Sequence, residues 1–292
     1  MSGPIVVGVD GSPQSAQALE WAAARARLGR EPLELISAYS YLPDLEFYGY
    51  RGLSDTEPVG WYAEFSRQVL DAAATRVREV DPDLSCSLVS ERAHPGTLLT
   101  EASERASMVV VGRRGLGDAA SALLGSVSNR LTIQSTCPVV VVGGEQPASG
   151  PIVVGVDESE AGAAALRFAL TEAAVRDTWV RAVAAYDVPM RPSRYGDELA
   201  ERIRADNQAE VAGSVARAHE AARTELGSSV TVEEVVVEGR PAETILSHAG
   251  DAQLIVVGRQ GKGLVRRVLL GSVNRQVLND ADRPVAVVGH AD

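Results

Sequence analysis

The chain has few cysteines, few histidines and no long apolar run. Two cysteines among 292 residues are too few for a disulfide framework, and Cys86 and Cys137 lie in or beside apolar stretches, so we expect reduced, buried thiols. No stretch approaches the ~20 apolar residues of a membrane span. The N-terminus has no basic region leading into an apolar one, so we expect a soluble, cytoplasmic protein without a signal peptide. None of the four histidines has metal-ligand spacing: they are His94, His219, His248 and His290.

Positive charge is also scarce. Lys and Arg number 28 against 39 Asp and Glu, which gives a formal net charge of −11. Non-specific nucleic-acid binding needs clustered Lys and Arg, so we expect no nucleic-acid partner. The composition is otherwise globular, with 45% hydrophobic and 23% charged residues. Because common domains have about 100–150 residues, the length favours two of them.

The chain repeats itself. Three blocks return in order after 146 or 147 residues: Pro4–Asp10 as Pro151–Asp157, Val109–Gly115 as Ile255–Gly261, and Leu124–Val127 as Leu270–Val273. Between the copies, Gly143–Gly150 has the polar, Gly-rich composition of a linker. We therefore predict two copies of one domain, residues 1–146 and 147–292.

Each copy alternates short β-branched apolar runs with helical patterns, which predicts an open parallel sheet covered by helices. The predicted strands are 5–9, 33–39, 84–89, 108–111 and 138–142, then 152–156, 179–186, 231–237, 254–257 and 284–288. In the first copy the predicted helices are 15–28, 63–80, 98–105 and 126–134. Five strands with four crossovers give one doubly wound α/β sheet per domain.

Polar and glycine residues follow the first and fourth strands of each copy. Ligands of open α/β sheets bind beyond the carboxyl ends of the strands, where the strand order reverses. Asp10 and Asp157 each end a first strand, and a carboxylate there suits a ribose hydroxyl or, through water, a phosphate-bound metal. The loop after the fourth strand is Gly-rich, and we expect positive φ angles that let its N–H groups form an anion-binding concavity. Its candidate residues are Gly112, Arg113 and Gly115 in the first copy, and Gly258, Arg259 and Gly261 in the second.

A Gly-Ser-Val triplet follows each loop and opens a helix. Its hydroxyl and the free N–H groups of the first turn can bind phosphate together with the helix dipole. Glycines after strands are often only turns, and Ser or Asp at a helix start is often only a cap. However, the pattern Gly-x2-Gly-x9-Gly-Ser occurs twice, each time with an upstream Asp, which favours a nucleotide site in each half. The triplets are Gly125, Ser126 and Val127, and Gly271, Ser272 and Val273.

On these motifs the chain resembles the tandem universal stress proteins of the ATP-binding branch, over nearly its whole length. The resemblance implies two tandem doubly wound five-stranded parallel-sheet domains with strand order 3-2-1-4-5 and helices on both faces. It implies an ATP-binding stress-response regulator with one adenine nucleotide per domain, with or without Mg²⁺. The aspartates would contact ribose, and the glycine loops and Gly-Ser pairs would hold phosphates. Family domains pair through their last strands, so the halves would form an intramolecular pseudo-dimer, and two chains a homodimer.

Other nucleotide sites fit the sequence less well. A dinucleotide site needs Gly-x-Gly-x-x-Gly after the first strand, and a P-loop needs Gly-x4-Gly-Lys-Ser/Thr, neither of which occurs at these loops. Among the histidines only His94 is expected beside the Gly-rich loop. We interpret it as a polar helix-start residue before Pro95 and not as a catalytic base. We expect no catalytic residues and at most weak ATPase activity. A slow ATP hydrolase or other nucleotide-dependent enzyme, and a ligand-free partner-binding scaffold, remain the alternatives.

The halves differ in charge and in aromatic content. In the first loop Arg113 and Arg114 against Asp118 leave a net charge of +1, whereas Arg259 and three further cations of the second loop give +4. We call Lys262, Arg266 and Arg267 the second-loop cations, and predict that the second site holds a triphosphate more tightly. Residues 39–65 carry 8 of the 13 aromatics, which fits either a lid or partner surface or a loop that packs its own side chains.

Overall fold

The structure, a computed structural model, describes residues 3–39, 57–115, 124–187, 197–259 and 270–289. The chain divides into two compact units, Met1–Val142 and Gly143–Asp292. The first unit thus ends four residues before the end of the predicted first domain. The boundary between residues 146 and 147 stays a prediction.

Both units repeat the same order of strands and helices. The first contains β1 (Ile5–Gly8), α1 (Pro13–Gly29), β2 (Leu33–Tyr39), α2 (Glu57–Val80), β3 (Cys86–Arg92), α3 (Pro95–Ala102), β4 (Met108–Gly112), α4 (Ser126–Gln134) and β5 (Val139–Val142). The second contains β6 (Ile152–Gly155), α5 (Glu160–Arg176), β7 (Val180–Tyr186), α6 (Asp197–Leu226), β8 (Val232–Glu238), α7 (Pro241–Ser247), β9 (Leu254–Gly258), α8 (Ser272–Asp280) and β10 (Val285–Val288).

Each unit is built on a parallel sheet. Hydrogen-bonded neighbours run in the order β3-β2-β1-β4-β5 in the first unit and β8-β7-β6-β9-β10 in the second. This is the order 3-2-1-4-5 that the resemblance implies. Ile5, Val6 and Val7 of β1 are fully buried because helices cover both faces, with α1 beside α2 and α3 beside α4. The central strands can therefore be continuously apolar rather than alternating.

The first helix of each unit begins directly after the first strand. Ser12 caps α1 by accepting a hydrogen bond from Ser15 N at 3.1 Å, and Pro13 follows it with a φ already suited to a helix. Ser159 caps α5 in the same way, accepting from Gly162 N at 3.0 Å. These caps fix the short turn that contains Asp10 or Asp157.

Three elements differ from the sequence-based prediction by three or more residues at one end or both. Helix α3 starts three residues early because His94 caps it and Pro95 is its first residue, and it ends at Ala102 instead of residue 105. Helix α2 starts at residue 57 instead of 63, since the exposed Gly60 and Trp61 interrupt the apolar pattern near its start. Strand β3 covers Cys86–Arg92 instead of the predicted 84–89, because its pairing with β2 extends to Arg92.

The two cysteines differ in burial. Cys137 is buried as predicted, but Cys86 is only half-buried because β3 lies at the end of its sheet. Burial still raises the pKa of the Cys86 thiol above its ordinary value, and the charge of Arg78 partly offsets this.

Candidate functional site

A cleft of about 330 Å³ opens at the carboxyl edge of the first sheet, between the ends of β1 and β4. This is the reversal point of the strand order, where ligands of open α/β sheets bind. Its polar lining consists of Asp10, Ser15, Arg114, Ser126 and Ser128. Its apolar lining includes Val9, Ile36, Ala38, Pro95, Leu99 and Val111.

Hydrogen bonds from the following turn hold the Asp10 carboxylate in place. Oδ1 accepts from Ser12 N at 2.9 Å and from Ser12 Oγ at 2.6 Å. The same serine caps α1, so the carboxylate and the helix start form one unit. Asp157 repeats this arrangement: its Oδ1 accepts from the backbone N–H of Ser159 at 3.1 Å and from the Ser159 hydroxyl.

The described glycines at the ends of the fourth strands serve close approach. Gly112, Gly115, Gly125, Gly258 and Gly271 have no positive φ, so the expectation is wrong for these glycines, and it stays a prediction for the loop residues outside the described ranges. A Cβ at Gly112 would lie 2.8 Å from backbone atoms of Gln14, and one at Gly258 would lie 2.6 Å from those of Ala161. These two glycines therefore let the first turn of α1 or α5 pack against the strand end.

Gly115 has a different neighbour. A Cβ at this position would overlap Oδ2 of Asp10, well inside van der Waals distance. The fold thus brings Asp10 and the glycine loop together, as the strand order predicted. A side chain at residue 115 would displace the carboxylate.

The start of α4 forms another wall of the cleft. Gly125 is the N-cap and makes no side-chain capping bond, while Ser126 is the first helical residue and is exposed. The N–H groups of a first helical turn have no partner inside their helix, and the dipole favours an anion beside them. Ser126 and Val127 both line the cleft. In the second unit Gly271 caps α8, which begins with Ser272 and Val273.

Some predicted residues lie outside the described part of the chain. They are Gly261, Asp118 and the second-loop cations. The charge comparison between the two loops therefore stays a prediction. Of the first loop's cations, Arg114 lines the cleft.

His94 has the helix-start role that the sequence suggested. Its Nδ1 accepts from Gly96 N at 3.2 Å and so caps α3. This bond uses one ring nitrogen for local structure.

The aromatic-rich segment is described only at residue 39 and from residue 57 onward. There, Trp61 stacks on Phe65 with ring centroids 6.2 Å apart, and Trp61 is 68% exposed. Phe65 lies beside the turn after Asp10, because a Cβ at Gly11 would be 3.8 Å from its ring. Phe65 thus borders the turn that carries Asp10, and the function of the aromatic-rich segment stays a prediction.

Three further polar residues lie at the site and have no motif of their own in the sequence. Ser15 lines the cleft and donates its hydroxyl to Ser12 O at 2.9 Å. Ser128 and Asn274 join the start of α4 or α8 to the end of the preceding strand. Only the repeat could have indicated the last two, since both stand one residue after a Gly-Ser-Val triplet.

The described residues contain neither a candidate membrane-spanning helix nor a candidate metal-binding cluster. None of the helices there is long and apolar enough to cross a membrane. Within the same residues, His, Cys, Asp and Glu form no group of three that could hold a metal ion.

Comparison with known proteins gives one consistent result. The model of the universal stress protein family matches residues 1–143 and again 149–289. Two universal stress proteins of Mycobacterium tuberculosis strain H37Rv are similar over 97% of this chain: Rv2623 is 32% identical and covered to 95%, and Rv2005c is 34% identical and covered to 96%. The crystal structure of a universal stress protein from Archaeoglobus fulgidus matches the whole chain with a TM-score of 0.70 at 19% identity, and 98% of that chain is covered. That structural likeness concerns the fold alone.

Proposed function

Since the chain belongs to the universal stress protein family, we propose that each half binds one adenine nucleotide and that occupancy of these sites switches a regulatory function in a stress response. The observation that carries the proposal is that Asp10, Gly115 and Ser126, far apart in sequence, meet at one cleft.

Each part of the cleft suits one part of a nucleotide. The apolar lining around Ile36, Ala38 and Leu99 offers contact area to a flat base. The Asp10 carboxylate can accept a hydrogen bond from a ribose hydroxyl. The uncapped start of α4 and the hydroxyl of Ser126 donate to phosphate oxygens.

The second site rests on the repeat. Asp157 has the same hydrogen-bonded turn as Asp10, and Ser272 begins α8 as Ser126 begins α4. We expect ATP as the ligand in both halves. A Mg²⁺ ion would arrive on the phosphates and contact Asp10 or Asp157 through water.

A binding switch fits the site better than an enzyme. The Asp10 carboxylate already accepts two hydrogen bonds that hold its own turn, and His94 Nδ1 caps a helix. Neither group is arranged primarily to move a proton. Slow hydrolysis of a well-positioned nucleotide is the second candidate, favoured by the presence of a helix N-terminus and Arg114 at the cleft.

Calorimetric titration of the full chain with ATP, ADP and AMP tests the proposal, with phosphate release measured in the same samples. Two nucleotides bound per chain without turnover is the expected result. Steady phosphate release would favour the hydrolase, and the absence of any heat signal up to millimolar nucleotide would favour the scaffold.

We further propose that the halves pair through β5 and β10 about a pseudo-twofold axis. Each of these strands lies at one end of its unit's strand order, and an unpaired apolar edge invites association. Sedimentation or scattering that shows halves moving independently would contradict the pairing.

A further inference from the structure

Ser128 and Asn274 hold equivalent positions in the two halves. Each is the third residue of its helix, α4 or α8, and each follows a Gly-Ser-Val triplet. Both side chains are polar, yet the residues are only 3% and 5% exposed. A buried polar group at the start of a helix has to be satisfied by a specific partner.

The partners are the backbone carbonyls at the end of the preceding strand. In the first half the Ser128 hydroxyl donates to Gly112 O at 2.7 Å, while Arg113 O accepts from Gly125 N at 2.9 Å. In the second half the single amide nitrogen of Asn274 donates to Gly258 O at 2.6 Å and to Arg259 O at 2.8 Å.

The two halves thus reach the same result with different atoms. In both, the two carbonyls at the strand end accept hydrogen bonds from the start of the helix. A serine with a backbone N–H does this in one half, and an asparagine alone does it in the other. What the repeat preserves is the connection, and the residue type differs.

This connection spans the two elements that would hold phosphates. The Gly-rich loop leaves the strand end at Gly112 or Gly258, and the free N–H groups lie in the first turn of the helix. If the helix start moved relative to the strand end, N–H groups and loop would no longer converge on one anion. Hydrogen bonds need donor–acceptor distances of about 2.7–3.2 Å and weaken steeply when misaligned, so such a shift would weaken phosphate binding.

We infer that Ser128 and Asn274 are positioning residues for the nucleotide phosphates, fixing the helix N-terminus against the end of the fourth strand in each half. The inference rests on the proposed function. It predicts that exchanging Ser and Asn at these positions leaves ATP affinity nearly unchanged, whereas alanine at both positions lowers it.

The test compares three full-length variants with the wild type by titration with ATP. The double variant Ser128→Ala with Asn274→Ala removes both connections. The exchange variant Ser128→Asn with Asn274→Ser keeps a donor at each position. The control Ser103→Ala removes another buried hydroxyl, which bonds Thr100 O and Thr136 and does not line the cleft. AMP is titrated in parallel, because a loss confined to phosphate contacts should be smaller for one phosphate than for three.

We expect the double alanine variant to bind ATP roughly tenfold more weakly, the worth of about one hydrogen bond. The exchange variant should stay within about threefold of wild type, and Ser103→Ala should lower the melting temperature with unchanged affinity. Wild-type affinity in the double alanine variant would overturn the inference and leave the proposed function intact. A wild-type chain that binds no adenine nucleotide would refute the proposed function itself, and the inference with it.

Discussion

The closeness of Gly115 to Asp10 gives the sharpest prediction for the candidate site. Gly115→Ala adds one methyl group, which would overlap Oδ2 of Asp10. Because Gly115 has no positive φ, alanine can adopt its backbone conformation without strain. The substitution therefore acts on the carboxylate and not on the loop.

The size of the effect follows from what Asp10 loses. To avoid the methyl group the carboxylate must turn away, and it would then lose the proposed hydrogen bond that it accepts from a ribose hydroxyl. Hydrogen bonds to charged groups are worth about 1.5–3 kcal/mol. Since each ~1.4 kcal/mol is a factor of ten, nucleotide affinity at the first site should fall roughly 10- to 150-fold.

A matched control and a double-mutant cycle isolate this cause. Gly60→Ala adds the same methyl group on α2, where no atom lies within 4 Å of the new Cβ, so affinity should not change. In an Asp10→Ala background the substitution at residue 115 should cost little, because its collision partner is gone. Calorimetry on the full-length chain measures the nucleotide affinities of the wild type, the two glycine variants, Asp10→Ala and the double variant. Wild-type affinity in Gly115→Ala, or a full loss that persists without Asp10, would refute the reasoning.

Three further predictions concern charge, salt and the aromatic residues. Arg181 donates to Asp251 at 2.7 Å, to Glu233 at 2.8 Å and to His248 O at 2.9 Å, so Arg181→Met should cost about 1–2 kcal/mol of unfolding free energy at neutral pH. Since Arg181 lowers the pKa of Asp251, the part of this cost that comes from Asp251 is fully present above the ordinary pKa of 3.8 and is lost as the pH falls through the lowered pKa. A cost in denaturant titrations that does not decrease as the solution is acidified would contradict this. Neutralising the second-loop cations should reduce both ATP affinity and its salt dependence at the second site, and equal salt slopes before and after would refute their contact with phosphate. Trp61 is exposed and its stacking partner lies beside the Asp10 turn, so ATP should change the tryptophan emission of the chain and Trp61→Phe should abolish that change; an unaltered response in the variant would argue for aromatics that only pack locally.

The acidic and the basic member of one surface ion pair have exchanged positions between the two halves. In the first half Glu34 on β2 pairs with Arg105, and at the equivalent positions of the second half Arg181 on β7 pairs with Asp251. Exchanging both members of one pair keeps the attraction. When the sequences of the two halves are aligned, both positions are mismatches. In the structure, each half nevertheless has an ion pair at these positions.

Much of the architecture follows from the sequence alone. The repeat blocks indicate two copies, and the β-branched runs of the central strands are long and apolar enough to locate β1, β4 and their twins within a residue or two. A buried parallel strand must be apolar on both faces, so its pattern survives in the sequence. The same motifs identify Asp10, the glycine loop and Ser126 as one candidate site.

Tertiary structure decided what the residues do for one another. The predicted bounds of β3 and of the start of α2 differ from the observed ones. Pairing with β2 sets the end of β3, and exposed residues such as Trp61 leave little apolar pattern at the start of α2. The sequence suggested positive φ for the loop glycines, but close approach of Gln14 and of the Asp10 carboxylate explains Gly112 and Gly115. Ser128 and Asn274 occupy matching positions of the repeat but differ in residue type, and only the structure shows that both donate to carbonyls at the end of the preceding strand. Local patterns are encoded within a few residues, whereas such contacts join segments that only the folded chain brings together.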